Sequence, residues 1–352
     1  MNPSTGRSPL MAAVAGGHRG LLTNLLHHGA DVSQTMMGMS PLALAVMKHD
    51  GDTCDLLLQF GADPDGMVME SLPTSIQTPT NGLFEMMTEY QQLAEAQRLD
   101  ADLNIEAMGL NMPLLLMAAS YGDSDICSLL LWHGADVEAR GSKGKGSPLA
   151  VASSLGHVDT VTILLSHGAD VNTRDRVQGT TPLLGAVQLG HTDVVKILLE
   201  NGASPNIQSF KSGSTPLHDV AYGGDKDVAE LLIVHGADVN KKNHHGGSPL
   251  HNACQQGNLE VVKLLVEHGA SAEIFNSTGG APLHLAAQYN QPEVIEYLVA
   301  EAGADPDIVS CKFFKFCLRI IAKPNILEGA TDCLEGEGEF ADAFNVGSNL
   351  CL

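Results

Sequence analysis

Residues 180–203 read TTPLLGAVQLGHTDVVKILLENGA, and this stretch decides the fold. Thr181 can cap free backbone donors at a helix start, and Pro182 suits the first helical position. A short apolar helix then ends at a Gly-His turn, a second apolar helix follows, and Gly202 allows the left-handed turn that stops it. The stretch therefore predicts two short helices joined by a tight turn.

Near copies of this unit recur along most of the chain, each marked by a proline anchor at the start of its first helix. Consecutive anchors from Pro148 onward lie 34, 34, 33 and 33 residues apart, and a further copy places Leu114 at the anchor position. Helices this short are marginal alone, so they must stack to bury their apolar faces. A period of about 33 residues therefore predicts a stacked helical solenoid. The proline anchors are Pro9, Pro41, Pro148, Pro182, Pro216, Pro249 and Pro282.

Two motifs carry a family resemblance: Thr215-Pro-Leu-His218 at a helix start and Gly236-Ala-Asp-Val-Asn240 after a second helix. This pattern resembles the ankyrin repeat over about residues 4–308, in eight copies interrupted by one insertion. The resemblance implies an all-α fold, an ankyrin-repeat solenoid of stacked helix-turn-helix units with β-hairpin-like loops. Ala281 and Pro113 replace the capping Thr or Ser of two copies, so we expect those helix starts to be weaker.

The repeat pattern divides the chain into four segments. Residues 1–66 hold repeats 1 and 2, residues 110–308 hold repeats 3–8, and residues 67–109 form an insertion between them. Apolar residues from Leu83 to Leu99 recur at helical spacing and predict one amphipathic helix in the insertion, which either folds back onto the array or binds a partner. Residues 309–352 form a non-repeat tail, with a short helix and then an acidic, Gly-rich part that we expect to be disordered.

Composition and charge exclude several function classes. The net charge of −22 argues against nucleic acid as a partner, because phosphate groups would be repelled. The sequence contains no stretch of about 18 apolar residues, so it predicts no helix that spans a membrane. Seven cysteines without framework spacing fit a reducing compartment, so we expect a cytoplasmic or nuclear location. No Cys-x-x-Cys pair or phosphate-binding glycine loop is present, and most histidines occupy repeat-defined positions. We therefore expect no metal, no cofactor and no catalysis.

Two sets of residues are predicted to bind a protein partner. In ankyrin-like arrays, the positions six and seven residues beyond each anchor face the concave groove. The loops between repeats carry eight of the 19 basic residues, and basic loop tips would attract an extended partner segment with acidic residues. The alternative is that the groove tyrosines only pack against the next repeat and the basic tips only aid solubility. The groove set is Tyr121, Gln188, Leu189, Tyr222, Gln255 and Tyr289. The tip set is Arg140, Lys143, Arg174, Arg176, Phe210, Lys211, Lys241, Lys242 and His244.

The sequence thus predicts a non-catalytic scaffold for protein–protein interaction. An alternative makes the chain the substrate-recruiting subunit of a ubiquitin ligase, because Phe313 and Cys317 in the tail have the spacing of an adaptor-binding box. Lys312 and Phe313 depart from the small residue and Leu of that box. A third interpretation treats the tail as a cap on the last repeat. The sequence indicates neither the identity of the partner nor an oligomeric state.

Overall fold

The computed structural model describes residues 8–35, 39–68, 112–141 and 146–308, and these residues form eight consecutive helix pairs. Each pair is one repeat, with a shorter first helix and a longer second helix. This arrangement confirms the predicted all-α solenoid. In chain order the helices are α1 Pro9–Ala15, α2 Arg19–His27, α3 Pro41–Met47, α4 Gly51–Gln59, α5 Leu114–Tyr121, α6 Ser124–Trp132, α7 Pro148–Leu155, α8 Val158–Ser166, α9 Pro182–Gln188, α10 Thr192–Glu200, α11 Pro216–Gly223, α12 Lys226–Val234, α13 Pro249–Gln256, α14 Leu259–Glu267, α15 Pro282–Gln288 and α16 Pro292–Ala300.

Hydroxyl side chains start several of the first helices. The side-chain oxygens of Ser8, Ser40, Ser147 and Thr181 accept hydrogen bonds from the backbone N–H three residues on, at 3.2, 3.0, 3.4 and 3.2 Å. The following residue in each case is proline, which has no N–H to leave unpaired. Pro113 precedes α5 without a side-chain cap, as its lack of a hydroxyl predicts.

The core runs along the whole stack between the two layers of helices. First helices contact the first helices of neighbouring repeats, and from α4 onward second helices contact second helices. Leu183, Leu198 and Leu232 show how the repeated apolar positions are used, because each is 0% exposed. Two polar groups interrupt this core in repeat 4: the hydroxyls of Ser153 and Thr160 are buried without a hydrogen-bond partner among the described residues.

Repeats 2 and 3 stack directly on each other although the insertion separates them in sequence. Helix α3 contacts α5 and α4 contacts α6, as in the repeat pairs that follow. Strand β1 (Met67–Val68) pairs antiparallel with β2 (Met112–Pro113), with Met67 opposite Pro113. The chain therefore leaves and rejoins the array at one loop tip. The helix predicted between Leu83 and Leu99 and the tail after 308 lie outside the described residues.

The loops between repeats 4 and 8 bond to one another at their tips. The backbone N–H of Phe210 donates to Gln178 O at 2.7 Å, and that of His244 donates to Ser212 O at 2.9 Å. The next loop continues the pattern, since Ser277 N–H donates to the carbonyl of His245 at 2.8 Å. Each tip is therefore positioned by the loop before it, and side chains on successive tips form one surface.

Candidate functional site

The C-terminal ends of the first helices, with the turns that follow them, form the face that we call the groove. Between repeats 5 and 6 this face opens into a cleft of about 700 Å³. The cleft brings together three residues of the predicted groove set: Gln188 and Leu189 at the end of α9, and Tyr222 at the end of α11. Leu189 is 48% exposed and Tyr222 is 55% exposed, so both side chains are accessible.

Asp219 is a cleft residue that sequence reasoning missed. Its carboxylate accepts a 2.8 Å hydrogen bond from Gln188 Nε2, across the boundary between repeats 5 and 6. Burial raises the pKa of this carboxyl, while the Gln188 bond lowers it in part. The signal was its position three residues after Pro216, which faces the groove alongside Asn252, three residues after Pro249. In repeats 6 and 7 the groove thus includes a third position that the prediction omitted.

The remaining groove residues lie in other repeats and do not line the cleft. Tyr121 is half-buried, and its ring contacts the imidazole of His49 with 4.8 Å between centroids. Gln255 is half-buried, and its backbone carbonyl accepts a 3.3 Å hydrogen bond from Gln291 Nε2. Tyr289 follows α15 in the last described repeat and is 47% exposed. Tyr121 therefore packs against the preceding repeat, whereas the alternative interpretation had the groove tyrosines pack against the next one.

Two of the predicted tip arginines hold neighbouring loops together. Arg140 donates from Nη1 to Arg174 O at 2.8 Å and also contacts the Thr173 hydroxyl. Arg174 in turn donates to the carbonyl of Gln208, and its guanidinium lies 4.4 Å from the centre of the Phe210 ring. Gln208 continues the pattern by donating from Nε2 to Lys242 O at 2.9 Å. These side chains form a ladder in which each reaches one repeat ahead.

A second group of tip residues projects from this ladder into solvent. Arg176, Lys211 and Lys242 are exposed, and no ion pair joins any of them to another residue in the described part of the chain. Phe210 is 52% exposed, and so is accessible beside these cations. Val177 is 69% exposed and adds an accessible apolar side chain that was not predicted from the sequence.

The other members of the tip set differ in accessibility. His244 is exposed, and its ring lies close over the backbone of Gly213. Lys241 is half-buried beside the exposed Lys242. Lys143 lies outside the described residues. The exposed tip cations and the aromatic ring of Phe210 therefore concentrate in the loops that follow repeats 4, 5 and 6.

Histidines have structural roles where the structure describes their bonds. His133, His167 and His235 each donate from Nδ1 to the backbone carbonyl four residues earlier, at 2.9, 2.9 and 2.8 Å. His218 and His251 are buried and bond through Nε2 to the carbonyls of Gly247 and Gly280 in the next repeat, at 3.0 and 3.1 Å. In the residues that the structure describes, no cluster of His, Cys, Asp or Glu could hold a metal ion.

The described cysteines are buried and poorly suited to nucleophilic chemistry. Burial raises the pKa of the Cys54 and Cys127 thiols to about 12, with smaller contributions from nearby aspartates. Cys254 is also fully buried, and burial raises its thiol pKa as well. Because the thiolate is the reactive form, these groups act as small apolar core residues.

The match to a family model agrees with the helix pairs, the capped starts and the bonded loop tips. The model for ankyrin repeats in three copies matches residues 1–67, 89–175, 114–209, 174–243 and 217–310. The chain belongs to the ankyrin-repeat family. Ankyrin repeats typically serve as non-catalytic modules for protein–protein interaction. A search of curated proteins gave no match to this ankyrin-repeat chain. Within the described ranges, none of the helices has the length and apolar content needed to span a bilayer.

Proposed function

We propose that this ankyrin array is a non-catalytic scaffold that binds an extended acidic segment of a protein partner across the loop tips after repeats 4, 5 and 6. The observation that carries the proposal is the row of exposed cations Arg176, Lys211 and Lys242 on tips that are bonded to one another. An extended chain can follow such a row because successive tips are held in register by backbone hydrogen bonds.

The chemistry of the row favours acidic residues interspersed with apolar ones. Phe210 and Val177 lie on the same tips and are 52% and 69% exposed. Exposed aromatic side chains supply contact area at low entropic cost, whereas exposed charges supply orientation and association rate. The net charge of −22 makes a local basic surface the place where an acidic segment can approach with least repulsion.

The test begins with a displayed library of random 15-residue peptides selected against the full chain. We expect the selected peptides to be enriched in Asp and Glu. Their affinities are then measured for Arg176→Gln/Lys211→Gln/Lys242→Gln. We expect about a tenfold loss at low ionic strength, because each exposed charge contact contributes about 0.5 kcal/mol.

A matched control removes three exposed cations elsewhere, in Arg19→Gln/Lys196→Gln/Lys226→Gln. It changes the net charge equally but leaves the tips intact, so the selected peptides should bind it as they bind the parent chain. Selected peptides without acidic enrichment would refute the proposal. Equal losses in both triple variants would refute it too, because only overall charge would then matter.

A further inference from the structure

The cleft between repeats 5 and 6 has a charge opposite to that of the tips. Its described lining contains two carboxylates, Asp219 and Asp225, and neither a lysine nor an arginine. The Asp225 carboxylate also caps α12 by accepting a 3.1 Å hydrogen bond from the N–H of Val228. The Asp219 carboxylate has its 2.8 Å bond from Gln188, which is a neutral donor. The lining also includes His191, whose Nε2 bonds to Ser154 O at 2.9 Å, so no lysine or arginine of the cleft pairs with either carboxylate.

The rest of the lining matches a long side chain that is apolar along its stem and charged at its end. Val187, Val195, Val220 and Val228 provide aliphatic walls, and the ring of Tyr222 also lines the cleft. Asn252 donates from Nδ2 to His218 O at 3.0 Å, so its carbonyl oxygen is an acceptor on the same lining. Arginine combines an apolar stem with a planar cation that binds carboxylates and stacks on aromatic rings.

We propose that this cleft is a binding site for one arginine side chain of the partner, with Asp219 as the carboxylate that receives the guanidinium. The site deepens the proposed function and rests on it: to the partner whose acidic residues would follow the tips it adds one basic residue, bound in the groove. Burial of the Asp219 carboxyl disfavours its charged form and raises its pKa. An incoming guanidinium would supply the missing counter-charge.

The first experiment uses N-acetyl-arginine-N-methylamide as the probe and the full chain labelled at its valine methyl groups. The four cleft valines are the reporters, and nuclear magnetic resonance follows their shifts during titration. We expect saturable shifts of these methyls with a dissociation constant in the millimolar range, as befits a single residue. The citrulline analogue has nearly the same shape without the charge. It should bind at least tenfold more weakly.

The second experiment repeats the titration on Asp219→Asn. The change keeps the size of the side chain and removes the charge, so arginine binding should fall at least tenfold. The matched control is Asp159→Asn, which neutralises an exposed aspartate on α8 and should bind like the parent chain. Circular dichroism establishes that both variants are folded, and the citrulline comparison on the parent chain needs no variant at all.

Three results would overturn the arginine site: absence of shifts at the cleft valines, equal affinities for arginine and citrulline derivatives, or unchanged binding by Asp219→Asn. None of these measurements involves the tip cations. A failed arginine site with tip-dependent peptide binding would leave the proposed function standing. Arginine binding without any selection for acidic peptides would support the arginine site and refute the proposed function.

Discussion

Acid should weaken this array through the buried imidazole of His251. Its Nδ1 accepts from the backbone N–H of Ser248 at 3.1 Å, and its Nε2 donates to Gly280 O at 3.1 Å. Burial lowers the pKa of the ring from 6.5 to about 4, and the nearby His218 and Lys242 contribute in the same direction. Protonation would place a second N–H against the Ser248 donor, so the folded chain holds the ring neutral.

The sign and size of the effect follow from proton binding. The unfolded ring takes up a proton near its ordinary pKa, while the folded ring resists until about pH 4. Stability is therefore complete above pH ~6.5 and is lost as the pH falls toward the folded value. A pH of ~5 is about 1.5 units below the pKa of the unfolded ring. The folded state therefore loses about 2 kcal/mol of stability through this one residue.

Urea denaturation of the full chain at a series of pH values measures this contribution. His251→Gln removes the titrating group but keeps a polar side chain. Between pH ~7 and pH ~5 the unfolding free energy of both proteins should fall, and the fall should be about 2 kcal/mol smaller in the variant than in the parent chain. Thr160→Val is the control, because it changes core packing without a titrating group and should leave the slope unchanged. Parallel curves for His251→Gln and the parent chain would refute the reasoning.

Three tests of individual contacts use the same denaturation assay, and two of them include a control substitution. Thr160→Val removes a buried hydroxyl that lacks a partner in the described residues and should raise the unfolding free energy by about 1 kcal/mol. Arg174→Met breaks the loop ladder and should lower it by about 1–2 kcal/mol, whereas Lys211→Met should change it little. Gly202→Ala should lower it by about 1 kcal/mol, because φ is 84° there, while Gly20→Ala, within α2, should raise it.

The stacked architecture could be predicted from sequence because it is specified by local signals. Thr181 and Pro182 start a helix, Gly202 ends the pair, and the same order recurs at an almost constant spacing. Each repeat leaves one apolar face unburied, so the only consistent way to shelter all of them is to stack. The insertion did not disturb this inference, since the chain returns to the tip that it left.

The cleft could be predicted only in part because it lies between repeats. Gln188, Leu189 and Tyr222 were found from their fixed offset to the anchor, which depends on one repeat at a time. Asp219 was missed because its role depends on the neighbouring side chain that donates to it from the previous repeat. A single repeat contains the residue types but not the pairing. The raised pKa of Asp219 comes from its burial, which the bond from Gln188 offsets only in part.

The basic residues of the loop tips could also be predicted only in part, because their roles depend on neighbouring repeats. Sequence counts every Arg and Lys in a loop equally, yet Arg140 and Arg174 are bound to carbonyls one repeat ahead. The ladder continues through Gln208, whose amide reaches Lys242 O, and Lys242 itself is exposed. In the described loops, then, Arg140 and Arg174 hold neighbouring loops together, while Arg176, Lys211 and Lys242 are accessible. This division explains why a basic stretch of sequence can both hold the loops in register and offer charge to a partner. It also means that charge reversal at Arg174 would weaken the scaffold as well as binding, so only the exposed cations give an interpretable test of partner capture.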